Sequence, residues 1–391
     1  MERRRYLEIP IREDLSSKMV FLAGPRQVGK TTLARRILAE SGAGVYLNWD
    51  NRDDRREIRA ARWPGGDALV VLDELHKWRS WKSWVKGEFD KHRDRLRFLV
   101  TGSARLDIYR RGGDSLQGRY HHYRLHPFTF GELQTRGVPK PPSPGEELHI
   151  PARASRETLA ALMKFGGFPE PFLAQSERAL RRWQKEHLER FFREDVRDLE
   201  RVRDLASLQV LADLLPERVG SPLSLNALRE DLEASHRAVS LWVEILERLY
   251  HVFRLRPYAS TKVRGLRKMP KLYLWDWSHI SEPGPRLENL VAAHLMKLVH
   301  FLQDHDGHPV ELKYLRDRSG KETDFIVVIG QKPWLAVEVK LAATQIDSAL
   351  VHFRDRLKIP WVYQVVLESE RDFVEQGVRC LPVHRFLAAL I

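Results

Sequence analysis

Cysteine and long apolar runs are almost missing from this sequence of 391 residues. The single cysteine, Cys380, cannot form a disulfide within the chain, and no group of cysteines is present to hold a structural zinc. No apolar run approaches the ~20 residues that a membrane helix needs. The charged N-terminus also lacks the apolar stretch of a signal peptide. These absences predict a soluble, cytoplasmic protein that does not associate with membranes.

Acidic residues are outnumbered by basic ones, with 53 Asp and Glu against 66 Lys and Arg, so the net charge is +13. This excess favours a polyanionic partner such as nucleic acid, although a generally basic proteome is the alternative explanation. Apolar residues make up 43% of the chain, which is enough for several hydrophobic cores. At roughly 150 residues per domain, the length predicts two to four domains.

Four regions with different patterns follow one another along the chain. Residues 1–145 alternate short apolar runs with amphipathic segments, which predicts βα units and a parallel sheet. Helical spacing in residues 146–215 predicts a small helical lid. In residues 216–278, two helices and a strand pair predict a winged helix-turn-helix. Residues 279–391 read as a second α/β domain, so the predicted fold class is multidomain α/β.

A phosphate-binding motif occupies the turn between the first predicted strand and the helix that follows it. The pattern G-x-x-x-x-G-K-[ST] is complete, and it lies in the strand–loop–helix setting that the chemistry requires. We expect the loop backbone to hold the phosphates of ATP, Lys30 to reach the β and γ oxygens, and the Thr31 hydroxyl to bind Mg²⁺. The expected nucleotide contacts are Gly24, Pro25, Arg26, Gln27, Val28, Gly29, Lys30, Thr31 and Thr32.

A second apolar strand, residues 68–72, ends in two acids, Asp73 and Glu74. Asp73 is expected to hold the magnesium ion through water, and Glu74 to polarise the attacking water. Acids at a strand end are often merely solvated. The pairing with the phosphate-binding motif gives these two a catalytic interpretation.

Further polar residues follow the next predicted strands. Thr101 and Ser103 close the strand at residues 98–100, where either hydroxyl is a candidate for orienting the lytic water, or only caps the strand end. Arg119 precedes another strand and is a candidate arginine finger toward a neighbouring subunit. Arg105 competes with it for that role.

A cation-rich segment lies between the two predicted strands of the winged helix. From His251 to Lys271 there are seven Lys and Arg and no acid. Such a hairpin tip is suited to the DNA phosphate backbone. The alternative is a protein-binding winged helix with a solvated hairpin. The expected DNA contacts are Lys262, Arg264, Arg267, Lys268 and Lys271.

The C-terminal region has the residue order D-x(n)-E-x-K of the restriction-endonuclease-like fold. Asp324 comes from one predicted strand, Glu338 and Lys340 lie on one face of the next, and Glu288 lies on the preceding helix. The acids are expected to bind Mg²⁺ and activate water, with Lys340 orienting it. A domain that binds nucleic acid without cutting it is the alternative.

These motifs together resemble prokaryotic AAA+ ATPases that have a C-terminal restriction-endonuclease-like domain of uncharacterised function. The likeness includes the phosphate-binding motif, the strand ending at Asp73 and the segments at 101–103, 116–119, 125–132 and 286–291. The resemblance implies an Mg²⁺-dependent ATPase core and assembly into a homo-oligomer.

The function that follows is an ATPase whose nucleotide state controls DNA engagement, through the basic winged helix and the endonuclease-like domain. Two alternatives stay open. One is an ATP-switched signalling or scaffold NTPase that acts on a protein partner. The other is a metal-dependent nuclease that ATP regulates.

Overall fold

A computed structural model describes residues 3–103, 116, 118–135, 137–196, 204–258, 269–343 and 345–391. Contacts divide the chain into two compact units. The first unit comprises Met1–Pro127 and Arg248–Tyr250, and the second comprises Phe128–Glu247 and His251–Ile391. Within the described ranges, no helix has the length and apolarity to span a bilayer.

The first unit is built on a five-stranded sheet in which every described strand pair is parallel. The strand order is β2–β3–β4–β1–β5, so β4 separates β1 from β3. The carboxyl ends of parallel strands meet at one edge of a sheet, which brings the ends of β1, β3 and β4 together. The strands are β1 (Met19–Ala23), β2 (Gly44–Asn48), β3 (Ala68–Asp73), β4 (Leu96–Thr101) and β5 (Tyr120–Arg124).

Helices cover this sheet because its central strands are apolar on both faces. Every residue of β1 and β3 is buried. The core beneath them includes Phe21, Trp81, Val85 and Phe98, and full burial of each such side chain contributes about 1.5–3 kcal/mol. The helices of this unit are α1 (Glu8–Asp14), α2 (Lys30–Glu40), α3 (Arg52–Ala60) and α4 (Trp81–His92).

The second unit begins with helices and ends in a mixed sheet. A capping box between Thr129 and Glu132 starts its first helix. The helices are α5 (Phe130–Gln134), α6 (Arg156–Phe165), α7 (Pro169–Ala174), α8 (Glu177–Arg190), α9 (Leu205–Leu214), α10 (Leu225–Asp231), α11 (His236–Arg248), α12 (Pro283–Asp304), α13 (Ser348–Leu357) and α14 (Val383–Ala388).

The sheet of the second unit has eight strands in the order β12–β13–β11–β10–β9–β8–β6–β7. The two strands that the sequence analysis assigns to the wing are β6 and β7, and β6 pairs with β8 in this same sheet. The strands are β6 (Val252–Pro257), β7 (Lys271–Leu274), β8 (Val310–Arg316), β9 (Glu322–Ile329), β10 (Lys332–Lys340), β11 (Trp361–Val366), β12 (Phe373–Glu375) and β13 (Val378–Pro382).

The predicted α/β class and its parallel-sheet core are confirmed by this architecture. A separate winged helix is not confirmed, because β6 and β7 extend the sheet that also contains β8–β11. The local pattern of a hairpin specifies the pairing of β6 with β7. It does not specify which further strand joins the free edge of β6.

Candidate functional site

The phosphate-binding loop lies between β1 and α2, and its backbone requires glycine. Gly24 has φ +144° and Gly29 has φ +95°, a region that favours residues without a side chain. A Cβ on Gly24 would lie 2.2 Å from the carbonyl oxygen of Leu125. Gly29 precedes α2 and has no side chain to cap it, so an anion is a natural partner for the first-turn N–H groups.

Two basic side chains support this loop from within the unit. Lys30 is buried, and its Nζ donates to the carbonyl oxygens of Gly24 at 3.0 Å and Pro25 at 2.6 Å. Arg5 Nη1 donates to the carbonyl oxygen of Val28 at 2.7 Å. The sequence analysis missed Arg5, because no motif joins it to the loop.

The other predicted nucleotide contacts differ in exposure. Arg26 and Gln27 are partly exposed at the turn of the loop, and Gln27 has φ 59°. Val28 is fully buried. Thr31 is partly exposed in the first turn of α2, and Thr32 beside it is exposed. Their roles toward a nucleotide stay predictions.

Asp73 accepts hydrogen bonds from three hydroxyl groups. Thr31 Oγ1 donates to Asp73 Oδ2 at 2.8 Å, and the Tyr46 hydroxyl donates to the same oxygen at 2.6 Å. Thr101 Oγ1 donates to Asp73 Oδ1. The strand order explains the convergence, because β2 and β4 both flank β3. The structure therefore brings the predicted residues Thr31, Asp73 and Thr101 together.

Tyr46 is a member of this group that the sequence analysis missed. Burial and the neighbouring Asp73 carboxylate raise the pKa of Tyr46 to about 12, so its hydroxyl remains a proton donor at neutral pH. The Arg35 guanidinium lies 4.1 Å from the centre of the Tyr46 ring. An aromatic residue on a strand is usually interpreted as packing, which hides its second role here.

Glu74 follows β3 with φ 57° and is held in a chain of polar contacts. Its Oε2 lies 3.2 Å from Lys77 Nζ and 3.7 Å from His76 Nε2. Lys77 Nζ also lies 2.5 Å from Asp50 Oδ2. Ser103 Oγ lies 3.4 Å from His76 Nε2, so Ser103 joins this chain rather than the hydroxyl group around Asp73.

The electrostatics at Glu74 suit a proton acceptor. Burial raises the pKa of this carboxyl above its ordinary value, although the ammonium groups of Lys77 and Lys30 oppose the shift. A raised pKa brings a carboxylate closer to the range in which it accepts a proton from water. The role of Glu74 as the base stays a prediction, and the direction of its pKa shift is consistent with it.

Arg119 lies at the amino-terminal end of the parallel strands, whereas the phosphate-binding loop lies at their carboxyl-terminal end. Its carbonyl accepts from the N–H of Met19, the first residue of β1, whereas the loop follows the last residue. Its guanidinium donates to Asp90 at 2.7 and 3.1 Å. Action within its own site is therefore excluded by position, and a role toward another subunit stays a prediction. The competing Arg105 lies outside the described residues.

The residues of this first site fit a nucleotide with magnesium. The glycine loop leaves the first turn of α2 uncapped by any side chain, as a phosphate requires. Thr31 and Asp73 place a hydroxyl and a carboxylate side by side, and Mg²⁺ prefers such oxygen ligands.

The predicted nuclease residues are also brought together, in the second unit. Asp324 Oδ2 accepts from the N–H of Val339 at 2.9 Å, and Glu338 Oε2 accepts from the N–H of Asp324 at 3.2 Å. Lys340 Nζ lies 2.8 Å from Glu338 Oε1 and 2.9 Å from Asp347 Oδ2. We call Glu288, Glu322, Asp324 and Glu338 the carboxylate cluster.

Lys271 lies within the carboxylate cluster, and its predicted role in DNA contact is wrong. Its side chain is only 2% exposed. Its Nζ lies 2.5 Å from Glu322 Oε1, 3.6 Å from Glu288 Oε1 and 3.9 Å from Asp324 Oδ1. A buried ammonium surrounded by carboxylates cannot reach a phosphate backbone. All four residues of β7 are buried, Lys271 among them, which charge counting along the segment does not reveal.

The carboxylate cluster does not fit the divalent metal that its motif implies. Mg²⁺ needs about six oxygen ligands, and the Lys271 ammonium lies among the oxygens that would supply them. A divalent ion ~4 Å from an ammonium would be repelled by roughly 8 kcal/mol at an effective dielectric constant of 20. In the described ranges, no group of three or more His, Cys, Asp or Glu is placed to hold a metal.

The four other predicted DNA contacts, Lys262, Arg264, Arg267 and Lys268, lie outside the described residues. Their role stays a prediction that rests on the sequence alone.

The loop geometry, the strand order and the pair Asp73–Glu74 define a P-loop ATPase domain. Residues 16–134 match the family model described as an AAA domain. The resemblance to prokaryotic P-loop AAA+ ATPases is therefore confirmed for this segment. Residues 156–281 and 283–386 match two further models, each described as a domain of unknown function, DUF8612 and DUF4143.

Two uncharacterized proteins are similar to this chain over most of its length. The uncharacterized protein MJ1544 of Methanocaldococcus jannaschii is 24% identical over 88% of this chain and 80% of its own length. The uncharacterized protein Rv2008c of Mycobacterium tuberculosis is 22% identical over 83% and 71%. A Walker-type ATPase of Pyrococcus abyssi is 16% identical over 69% of this chain and 92% of its own length, with a TM-score of 0.41.

Proposed function

We propose that this protein is a Mg²⁺-dependent ATPase. The observation that carries the proposal is the contact between Thr31 and Asp73, which puts a magnesium-type donor pair at the start of α2. Glu74, the adjacent carboxylate, is buried enough for its pKa to rise. No other described part of the chain combines a phosphate-binding loop with such a pair.

Each residue of the site has a distinct task in this proposal. Magnesium, when bound with ATP, neutralises charge on the β and γ phosphates. The Lys30 ammonium moves from the loop carbonyls to the phosphate oxygens. Glu74 accepts a proton from the attacking water. Thr101 fixes the Asp73 carboxylate from the side of β4.

Tyr46 is a positioning residue in the same proposal. Its hydroxyl donates to Asp73 Oδ2, the oxygen that Thr31 also contacts. A phenol with a pKa of about 12 keeps its proton at neutral pH, so it can donate to the Asp73 carboxylate and fix its orientation. The orientation of Asp73 is then shared among Tyr46, Thr31 and Thr101.

ATP binding and turnover test the proposal with two variants. Lys30→Ala should lower nucleotide affinity by at least a hundredfold, because Lys30 is the charged ligand of the phosphates. Glu74→Gln should keep nucleotide binding and lose turnover. Lys91→Ala, at an exposed position of the same unit, is the control for general damage. Retained hydrolysis in Glu74→Gln would contradict the proposed role of the base.

DNA engagement is the second part of the proposal, and the charge pattern of the sequence supports it. The net charge is +13, and the residues from 251 to 271 include seven cations and no acid. Because Lys271 is buried, four of the five expected DNA contacts remain as candidates: Lys262, Arg264, Arg267 and Lys268. Binding to DNA should weaken steeply as salt rises, since released counterions supply the affinity.

A charge-reversal variant, Arg264→Glu/Arg267→Glu/Lys268→Glu, separates DNA engagement from a scaffold role. We expect loss of DNA binding with ATP turnover unchanged in the absence of DNA. DNA binding that survives this variant, or that does not respond to salt, would instead favour an NTPase that acts on a protein partner.

An equal charge change elsewhere provides the matched control. Arg178, Arg181 and Arg182 are exposed on α8, so their reversal to Glu alters net charge by the same amount. We expect this control to reduce DNA affinity much less, because counterion release depends on phosphates contacted locally.

Nucleotide-dependent assembly into a homo-oligomer, with Arg119 as the arginine finger toward a neighbouring subunit, is the remaining part of the proposal.

A further inference from the structure

Lys271 is the first residue of β7, and it is the most enclosed cation of the carboxylate cluster. Its ammonium faces carboxylates from two elements, Glu288 of α12 and Glu322 and Asp324 of β9. The ring centre of Tyr314 lies 5.5 Å from Nζ. Burial alone lowers the pKa of Lys271, but the carboxylates outweigh it and raise the pKa above its ordinary value, so the group is charged.

The acids around Lys271 are held by protein donors as well. The Tyr273 hydroxyl donates to Glu288 Oε1 at 2.7 Å, and the Val339 N–H donates to Asp324 Oδ2. Glu288 is also confined from its other side, because a Cβ on Gly220 would lie 2.9 Å from Oε2. Closing these carboxylates around a metal would require several of these contacts to break.

We propose that the Lys271 ammonium is the resident cation of the carboxylate cluster and excludes a divalent metal from it. While Lys271 is present, the protein then does not bind Mg²⁺ or Mn²⁺ at Glu288 and Asp324. It also does not cleave DNA there. The inference does not depend on the ATPase, because every residue involved lies in the second unit.

The second lysine of the motif has a different environment, which makes it a control. Lys340 is about one-third exposed, and it pairs with Glu338 and Asp347 rather than with Glu288 or Glu322. Removing its charge leaves the Lys271 ammonium among the acids. If the Lys271 ammonium is what excludes a metal, then a change at Lys340 should not create a metal site.

Mn²⁺ binding to the full-length, nucleotide-free protein tests this inference. Free Mn²⁺ is counted by electron paramagnetic resonance in a titration. We expect Lys271→Met to gain one Mn²⁺ site at least tenfold tighter than any site of the unchanged protein. The double variant Lys271→Met/Asp324→Asn should lose that site, and Lys340→Met should not gain it.

The unchanged protein provides a second test that needs no change at Lys271. The proposal expects equal Mn²⁺ binding by the unchanged protein and by Asp324→Asn, and no Mn²⁺-dependent nicking of plasmid DNA by either. A Mn²⁺ site or a nicking activity that Asp324→Asn removes would overturn it. So would a folded Lys271→Met that gains no site, or a Lys340→Met that gains the same one.

Discussion

The phosphate-binding site and the carboxylate cluster use the same residue types in opposite ways. In the first, the Lys30 ammonium rests on backbone carbonyls, and Asp73 is held by neutral hydroxyls. In the second, the Lys271 ammonium rests on the carboxylates themselves. The first arrangement leaves both charges able to act on a ligand, whereas the second uses each charge to neutralise the other.

This difference shows that a catalytic motif is defined by what satisfies its charges. Hydroxyl donors keep a carboxylate ionised and oriented without cancelling its charge. An ammonium in the same place cancels it, and replaces the cation that the motif would otherwise bind. The order of residues in a sequence is compatible with either outcome.

Removal of Lys271 should give the largest effect on folding and would sharpen this comparison. Lys271→Ala leaves several buried carboxylates without their cation, so we expect unfolding free energy to fall by about 3–5 kcal/mol. Urea unfolding of the full chain, followed by tryptophan fluorescence, measures the loss.

Lys340→Ala is the matched change for Lys271→Ala. Lys340 is partly exposed, and its removal leaves only one buried carboxylate, Glu338, without this partner, so we expect a smaller loss of about 1–3 kcal/mol. Equal losses in the two variants would mean that the Lys271 ammonium does not hold the cluster together. The contrast between the two sites would then lose its basis.

The sequence predicted the elements whose contacts are local or imposed by strand direction. The strand–loop–helix around Lys30 follows from one continuous motif. The approach of Thr101 to Asp73 fits the expectation for neighbouring parallel strands, and the pairing of β9 with β10 brings Asp324 beside Glu338. In each case, the periodicity of the strand predicts which face of the sheet a residue lies on. The end of the strand predicts at which end of the sheet it lies.

Tyr46, Arg5 and Lys271 could not be predicted in the same way. Each one contacts residues on an element that is distant along the chain, and its type has a more common explanation as packing or as a solvated charge. Lys271 shows the difficulty best, because it directly follows a cation-rich run. The burial of Lys271 depends on the pairing of β7 with β6 and on the approach of Glu288 and Glu322, which are distant along the chain.

Removal of the Tyr46 hydroxyl should give an intermediate effect, on magnesium rather than on nucleotide. A hydrogen bond to a charged group contributes about 1.5–3 kcal/mol, and part of it should be lost from the orientation of Asp73. We expect Tyr46→Phe to raise the Mg²⁺ concentration at half-maximal ATP turnover by about tenfold. ATP binding without Mg²⁺ should stay unchanged.

Tyr6→Phe is the control for Tyr46→Phe, because the Tyr6 hydroxyl donates to the Arg124 carbonyl oxygen in the same unit. It should leave the Mg²⁺ dependence as it is. If Tyr46→Phe gives the same Mg²⁺ curve as the unchanged protein, then Thr31 and Thr101 are sufficient to orient Asp73. The three hydroxyl donors would then not act as a set.

The smallest effect is expected at Lys77, and it concerns pH. Burial raises the pKa of Glu74, while the Lys77 ammonium at 3.2 Å lowers it. The base acts only when deprotonated, so turnover should fall as pH drops through the pKa of Glu74. Lys77→Met removes the opposing charge, and the acidic limb of the kcat profile should therefore move to higher pH. Lys91→Met, at an exposed position of α4, should leave the acidic limb of the kcat profile in place. If the limb does not move in Lys77→Met either, then the Lys77 ammonium does not set the pKa of Glu74.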